Sequence, residues 1–344
     1  MTRPYVRTSA HNQIAALRRH LAEHLPRFTA SPGVVGLTLN GGMSRGYADE
    51  YSEVDITFFL ESQTYQAWQS SGSPIAAGII MLDGQLYDVK FADYAVESAR
   101  EWDMVMLWDA SYAEVLYDPK GLLSKMLAVK LETTPDIGAV EGLLMSCWWH
   151  YELAGTIWIH RGDVPQGHHM FNQAVVALLQ ALFIANREYV PHEKWLFHMS
   201  RSLAWKPADW ENRLRAAMST GDMTESSLRD RQREIRALWD EVDRYMITTY
   251  HPHLPVRLMQ KKAYEGLKQL VEAGSMRLAE WRTLTGSDFH NADPCYPVIR
   301  LDDDRIIVDR DVLRIQPHDM YVWHYEVLQA VRAQYYSDRQ DAMQ

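Results

Sequence analysis

The chain has 344 residues, 47% of them hydrophobic, which is enough apolar material for two ordinary domains and excludes a disordered polypeptide. Its net charge of −10 at pH 7 speaks against a general duplex-nucleic-acid binder, which needs clustered Lys and Arg, and better suits a cationic small substrate or one carried with metal. Cys147 and Cys295 show neither a metal-binding spacing nor a disulfide framework, "MTRPYVRTSAHNQ" has no apolar signal core, and no stretch approaches the ~20 uninterrupted apolar residues of a membrane span, so the expectation is a soluble cytoplasmic protein.

"HNQIAALRRHLAEHLPRF" places Ile14, Leu17, Leu21 and Leu25 at helical spacing and predicts a first helix ending near Pro26. "GVVGLTLN" reads as a strand running into Gly41 and Gly42, and "SEVDITFFL" as the next strand, with a loop and a short helical turn between them. A helix over "ESQTYQAWQS" follows. "GIIMLDGQLYDVKFADY" predicts a hairpin, because Asp83-Gly84 suits a two-residue turn with positive φ. A helical stretch over "ESAREWDMVMLWD" leads to a short strand, "AEVLYDPKG". From Thr134, a candidate cap, the texture turns helical. Two long apolar helices, "AVEGLLMSCWWHYELAGTIWIHRGD" and "HHMFNQAVVALLQALFIANREYVP", are followed by the amphipathic "SSLRDRQREIRALWDEVDRYMI", a helix pair over about 255–285, a late hairpin over about 295–315 and a final helix. The fold class is α+β: a small mixed sheet with helices on one face over residues 1–128, then a mostly helical domain over 129–344.

Side chains alternate along a strand, so Glu53, Asp55 and Thr57 share one face, while the hairpin puts Asp88 and Lys90 together on another. Neighbouring strands in register would bring Glu53, Asp55 and Asp88 together. Three unpaired carboxylates repel one another unless a cation sits among them, and hard oxygen ligands suit Mg²⁺. Gly41 and Gly42 let the backbone approach a polyphosphate, with Ser44 as a donor and Arg45 as a positive charge.

The composite Leu39-Asn40-Gly41-Gly42, about ten residues, then Glu53-Val54-Asp55-Ile56 resembles the nucleotidyltransferase superfamily of the DNA polymerase β type. The stretch "GGMSRGYADEYSEVDI" is similar to bacterial members acting on small, antibiotic-type substrates, and "LFIANREYVPHEKW" is similar to a stretch in another bacterial branch. The resemblance implies a sheet that holds metal and nucleotide, and a helical domain that grips an acceptor. It implies Glu53, Asp55 and Asp88 as catalytic and metal-binding residues, and Gly41, Gly42, Ser44 and Arg45 around the phosphates. One departure stands out: Glu53 occupies a position where the resembled enzymes carry Asp, and the longer side chain displaces its oxygens.

In the helical half, Lys194 is a candidate to reach a triphosphate or pyrophosphate as a point charge. Glu152 sits in an apolar helix, as a paired core residue or a base facing the acceptor. Arg161, Asp163, His168 and His169 fall in "HRGDVPQGHH", which reads as a polar connection able to carry function; with Glu152, Arg161 and His168 are the candidate acceptor-binding residues. The resulting expectation is Mg²⁺- or Mn²⁺-dependent transfer of a nucleoside monophosphate, from ATP first among the NTPs, to a hydroxyl of a small acceptor such as an aminoglycoside- or lincosamide-like antibiotic. Nucleotidylation of a protein or RNA, a nucleotide-binding relative without activity, and a homodimer are left open.

Overall fold

A computed structural model describes residues 12–250, 266, 269–286 and 299–308. Helix α1 (Ile14–Thr29) buries Leu17, Leu21 and Phe28. It runs through Pro26 instead of stopping there, because Phe28 anchors the last turn in the core and outweighs the lost backbone bond. Strand β1 (Val34–Leu39) leads through the short turn α2 (Gly41–Ser44) to β2 (Val54–Leu60), and α3 (Ser62–Ser71) follows. Strands β3 (Gly78–Leu82) and β4 (Gln85–Asp93) form the expected hairpin, with Asp83 at φ 43° and Gly84 at φ 86° in its two-residue turn.

The next helical stretch divides into α4 (Tyr94–Ala99) and α5 (Met104–Ala110), because Asp103 caps the second by accepting from the Met106 amide at 2.8 Å. Strand β5 (Glu114–Tyr117) and helix α6 (Leu122–Lys130) follow. The domain boundary expected after residue 128 falls inside α6. The following helix, α7 (Ala139–Trp148), starts five residues beyond the Thr134 cap read from the sequence.

The sheet has the order β3-β4-β2-β1-β5, with β2 and β4 parallel and the other pairs antiparallel. One face carries Leu37, Leu39, Ile56, Phe58, Tyr87 and Val89, which form one core cluster with the buried residues of α1. The opposite face carries Thr38, Asp55, Thr57, Asp88 and Lys90, in the register Asp55 beside Asp88 and Thr57 beside Lys90. Farther along it, Phe59 packs with Leu123, Met126 and Leu127 of α6. The polar face is thus a floor walled at one end by α6.

Helix α7 continues through a π-helical segment, Trp149–Ala154, into α8 (Gly155–Arg161). Gly162, at φ 70°, ends α8, and Asp163 accepts from the Gln166 amide to begin α9 (Val164–Ala185). The polar connection expected over 160–169 therefore shrinks to Gly162 and Asp163, because both ends are capped and His168 and His169 already lie on a helix. By length and composition α9 could cross a membrane, yet 67% of its apolar window is buried. Helices α10 (Glu193–Ser200), α11 (Trp210–Met218) and α12 (Glu225–Tyr250) come next.

Strand β6 (Ser275–Arg277), helix α13 (Leu278–Thr285) and strands β7 (Ile299–Asp302) and β8 (Arg305–Val308) follow, with the late hairpin joined by β6 in a three-stranded sheet. The final helix lies outside the described residues, as do most of the first helix of the 255–285 pair and the outer ends of the hairpin.

Two compact units emerge. One takes the residues up to Asp136 together with Phe183–Trp205; the other takes Ile137–Leu182 and the residues from Lys206 on. The last turn of α9 and all of α10 thus belong with the five-stranded sheet.

Candidate active site

Within the first unit a cavity of about 500 Å³ opens over the polar sheet face, lined among others by Gly41, Gly42, Glu53, Asp55, Lys90 and Lys194. Local backbone chemistry delivers these groups. The Asn40 amide donates to the Asp55 carbonyl at 2.9 Å and its side-chain amide to Thr57 Oγ1 at 2.8 Å, which ties the turn after β1 to β2. Gly41 then takes φ +66°, and a Cβ there would lie 1.7 Å from Asp55 Oδ2, so the carboxylate rests against bare backbone. In the loop before β2, Asp49 Oδ1 accepts from the Tyr51 amide and the Ser52 hydroxyl, both at 3.0 Å, setting the turn from which Glu53 enters the cavity.

Arg45, read from the sequence as a positive charge beside the phosphates, is among the residues lining the cavity. Its side chain is buried, pairs with Asp109 at 2.8 Å, and lies 4.6 Å from the Trp108 ring centre and 5.4 Å from that of Trp195. Its charge is spent on holding α5 and α10 beside the turn after β1. Ser44 donates its hydroxyl to the Gly41 carbonyl at 3.0 Å and is outside the cavity lining, because a hydroxyl at the end of so short a helical turn bonds back into that turn. Lys194 lies in the first turn of α10 and lines the cavity, with His192 accepting from its amide at 3.2 Å.

Asp88 lies beside Asp55 in register, but it is outside the cavity lining and is not an unpaired third ligand. Its carboxylate meets Lys90 Nζ at 2.9 Å, because both side chains project from the same face of β4. Among the described residues no group of three or more His, Cys, Asp or Glu side chains forms a ready-made metal cage. Burial pushes the Asp55 carboxyl up to about 6; Glu53, Asp88 and Asp109 add to the push and Lys90 opposes it. Burial pulls the Lys90 ammonium down, but its hydrogen bond to Asp88 and the charges of Asp88, Asp55 and Asp109 leave it above the ordinary lysine value. Lys90 is therefore a tethered counter-ion for this carboxylate face, although the alternation that singled out Asp88 also pointed to it. In Lys90→Met the Asp55 carboxyl is expected to titrate above about 6, read as the midpoint of its carbon-13 shift; an unchanged or lower midpoint would refute the counter-ion role.

The excess of negative charge at Asp55 is the observation that bears on a cation. Glu53 and Asp55 offer hard oxygens but too few for an all-protein cage, a donor set that fits Mg²⁺ bound together with substrate phosphates.

The second unit holds the remaining candidates. Glu152 lies in the π-helical segment, buried, and its carboxylate pairs with Arg236 of α12. His168 is buried on α9 with Nδ1 3.1 Å from Arg231 Nη1, and burial together with that guanidinium lowers its pKa. Arg161 ends α8 with its guanidinium 4.8 Å from the Trp158 ring centre. Glu152 and His168 thus both meet arginines of α12. Trp108, Asp109, His192 and Trp195 in the cavity were not singled out from sequence as site residues. Their signal is weak, because an aromatic at helical spacing reads equally as core.

Residues 102–196 match a family model described as a domain of unknown function, DUF4037. The match starts beyond Glu53, Asp55 and Asp88 and takes in Trp108, Asp109 and Lys194. No curated protein matches the chain. A crystal structure of a nucleotidyltransferase-like protein from Exiguobacterium sibiricum 255-15 is similar at 12% identity with a TM-score of 0.38, covering 77% of this chain and 93% of that one.

Proposed function

We propose that this chain transfers a nucleoside monophosphate from a nucleoside triphosphate, ATP first, to a hydroxyl of a small acceptor. The observation that carries the reading is the single cavity that combines the bare backbone at Gly41-Gly42, the Glu53 and Asp55 carboxylates and the Lys194 ammonium. Backbone that a phosphate can approach and a lysine suit the β and γ phosphates. Tyr47 and the exposed Tyr51 both line the cavity and supply aromatic rings on which a base can stack.

In the transfer the acceptor oxygen forms a bond to the α phosphorus, while the bond from that phosphorus to the β-bridging oxygen breaks. The electron pair leaves with pyrophosphate, and cavity water relays the acceptor proton to Asp88, adjacent to Asp55 in register but outside the cavity lining. Lys90, already bonded to Asp88, keeps that carboxylate oriented. Glu53 and Asp55 would hold Mg²⁺, which when bound supplies charge stabilisation to the phosphates. Arg45 positions Asp109 and the two tryptophans and so keeps the cavity wall in place.

Incubation with each NTP, Mg²⁺ or Mn²⁺ and a panel of hydroxylated small molecules that includes aminoglycosides and lincosamides, with pyrophosphate monitored, tests the reading. ATP-dependent pyrophosphate release that needs a small acceptor is expected. Label from NTP appearing on protein or RNA instead, or no release in any combination, would overturn it.

A further inference from the structure

A second cavity, of about 350 Å³, lies over the same sheet face, and Asn40, Lys90, Met106 and Asp109 line both. Its floor is Thr38, Thr57 and Phe59, and its apolar wall includes Trp102 and Leu127. The far end is closed by a bonded knot in which Glu97 pairs with Arg100 at 2.7 Å and accepts from Trp102 Nε1 at 2.9 Å. The space exists because Ala92 on β4, Ala110 on α5 and Ala113 after it all present a methyl to it, where a sheet–helix interface packed to ordinary density would carry larger aliphatics. Its volume falls in the ordinary ligand range of ~300–1,000 Å³.

Strand β2 connects the two chambers. Asp55 lines the first and Thr57 the second, and they lie two residues apart on one face, a step of roughly 7 Å. A molecule seated over Thr57 and Phe59 therefore points toward whatever Asp55 holds, past Lys90 and Asp109. The first chamber is large enough for a nucleotide, and the rings of Tyr47 and Tyr51 lie there. The second is smaller, mostly apolar in its lining and suited to the other reactant.

We infer that the second chamber is the acceptor pocket, and that the acceptor is a compact alcohol with an aromatic or aliphatic ring body. The ring lies against Phe59, Trp102 and Leu127, and the hydroxyl faces the junction at Lys90 and Asp109. This rests on the nucleotidyl-transfer reading but narrows it, because a multi-ring, strongly polar aminoglycoside does not suit a mostly apolar lining around about 350 Å³. As in the general reaction, the alcohol oxygen bonds to the α phosphorus, pyrophosphate leaves and the proton goes to Asp88.

The test uses tryptophol and 2-phenylethanol as probes and glucose as the polar hydroxylated control, with binding to the full chain read by saturation-transfer NMR. Ala110→Leu fills the chamber, and Ala113→Leu does the same from a different segment in case the first variant fails to fold. Both aromatic alcohols are expected to bind the parent and glucose is not. Either variant should weaken the alcohols by at least about tenfold, while the affinity for ATP with Mg²⁺ stays within about twofold. Equal binding of glucose, or alcohol binding that both folded variants retain, would overturn the acceptor pocket. Failure of the parent to bind ATP would instead overturn the nucleotide reading, and the alcohol results would still stand or fall separately.

Discussion

Asp55→Asn is expected to lose at least about a thousandfold in transfer rate, the scale of removing an electrostatic partner of a transition state, and yet to be more stable than the parent at pH 8. An aspartate titrates near ~3.9 in an unfolded chain, whereas burial and then Glu53 carry the Asp55 carboxyl up to about 6 in the folded one. The folded state thus holds this proton more tightly. The contribution of Asp55 to stability is complete below the unfolded value and is lost as pH rises through about 6. At pH 8 the loss amounts to about 3 kcal/mol. Asparagine keeps the neutral form at every pH and escapes it. Melting curves of the two proteins should therefore agree below about pH 4, separate between about pH 4 and pH 6 and keep that gap above it, with the variant several degrees higher. ATP with Mg²⁺ should raise the melting temperature of the parent and leave the variant almost unmoved. A melting difference independent of pH, or an active variant, would remove Asp55 from the centre of the site.

How much of this is legible in the sequence depends on the range of the interaction. Alternation along a strand is local, so the residues themselves group Asp55 with Thr57 on β2 and Asp88 with Lys90 on β4, and the parallel register joins the two pairs on one face. The Asp83-Gly84 turn is legible for the same reason, since its backbone demands are met by the two residues themselves. Pro26 misleads because a local rule is overridden from a distance by the burial of Phe28. The return of Phe183–Trp205 to the sheet unit has no local signature. It depends on contacts such as Trp195 with Tyr47, whose ring centres lie 5.1 Å apart across a long stretch of intervening chain. Residue types also conceal how a charge is spent. Arg45 reads as a cation beside a glycine turn, but its bond to Asp109 and its place between two indoles give it a structural task. Asp88 and Lys90 are both visible as same-face neighbours, and only their 2.9 Å contact turns a supposed third metal ligand into half of an ion pair.

Gly41→Ala should lower transfer to the level of Asp55→Asn while leaving both carboxylates in the sequence. Two costs coincide at this position. At φ +66° an alanine suffers the left-handed penalty of about 1–2 kcal/mol. Its Cβ would also lie 1.7 Å from Asp55 Oδ2 and 2.4 Å from Cγ, and because an aspartate side chain is too short to swing clear, the carboxylate has to leave its position. Gly42→Ala is the built-in contrast. It takes no positive φ, and its nearest neighbour would be the Tyr47 carbonyl oxygen at 3.1 Å, so a small shift accommodates it and a large share of the activity should survive. Stability separates the two costs further. In an Asp55→Ala background the colliding carboxylate is gone, so Gly41→Ala should cost little beyond the backbone strain. A double-mutant cycle on denaturant midpoints would then show clear coupling between positions 41 and 55. Additive effects, or a Gly42→Ala variant as damaged as Gly41→Ala, would mean that the turn serves phosphate approach alone and does not seat the catalytic carboxylate.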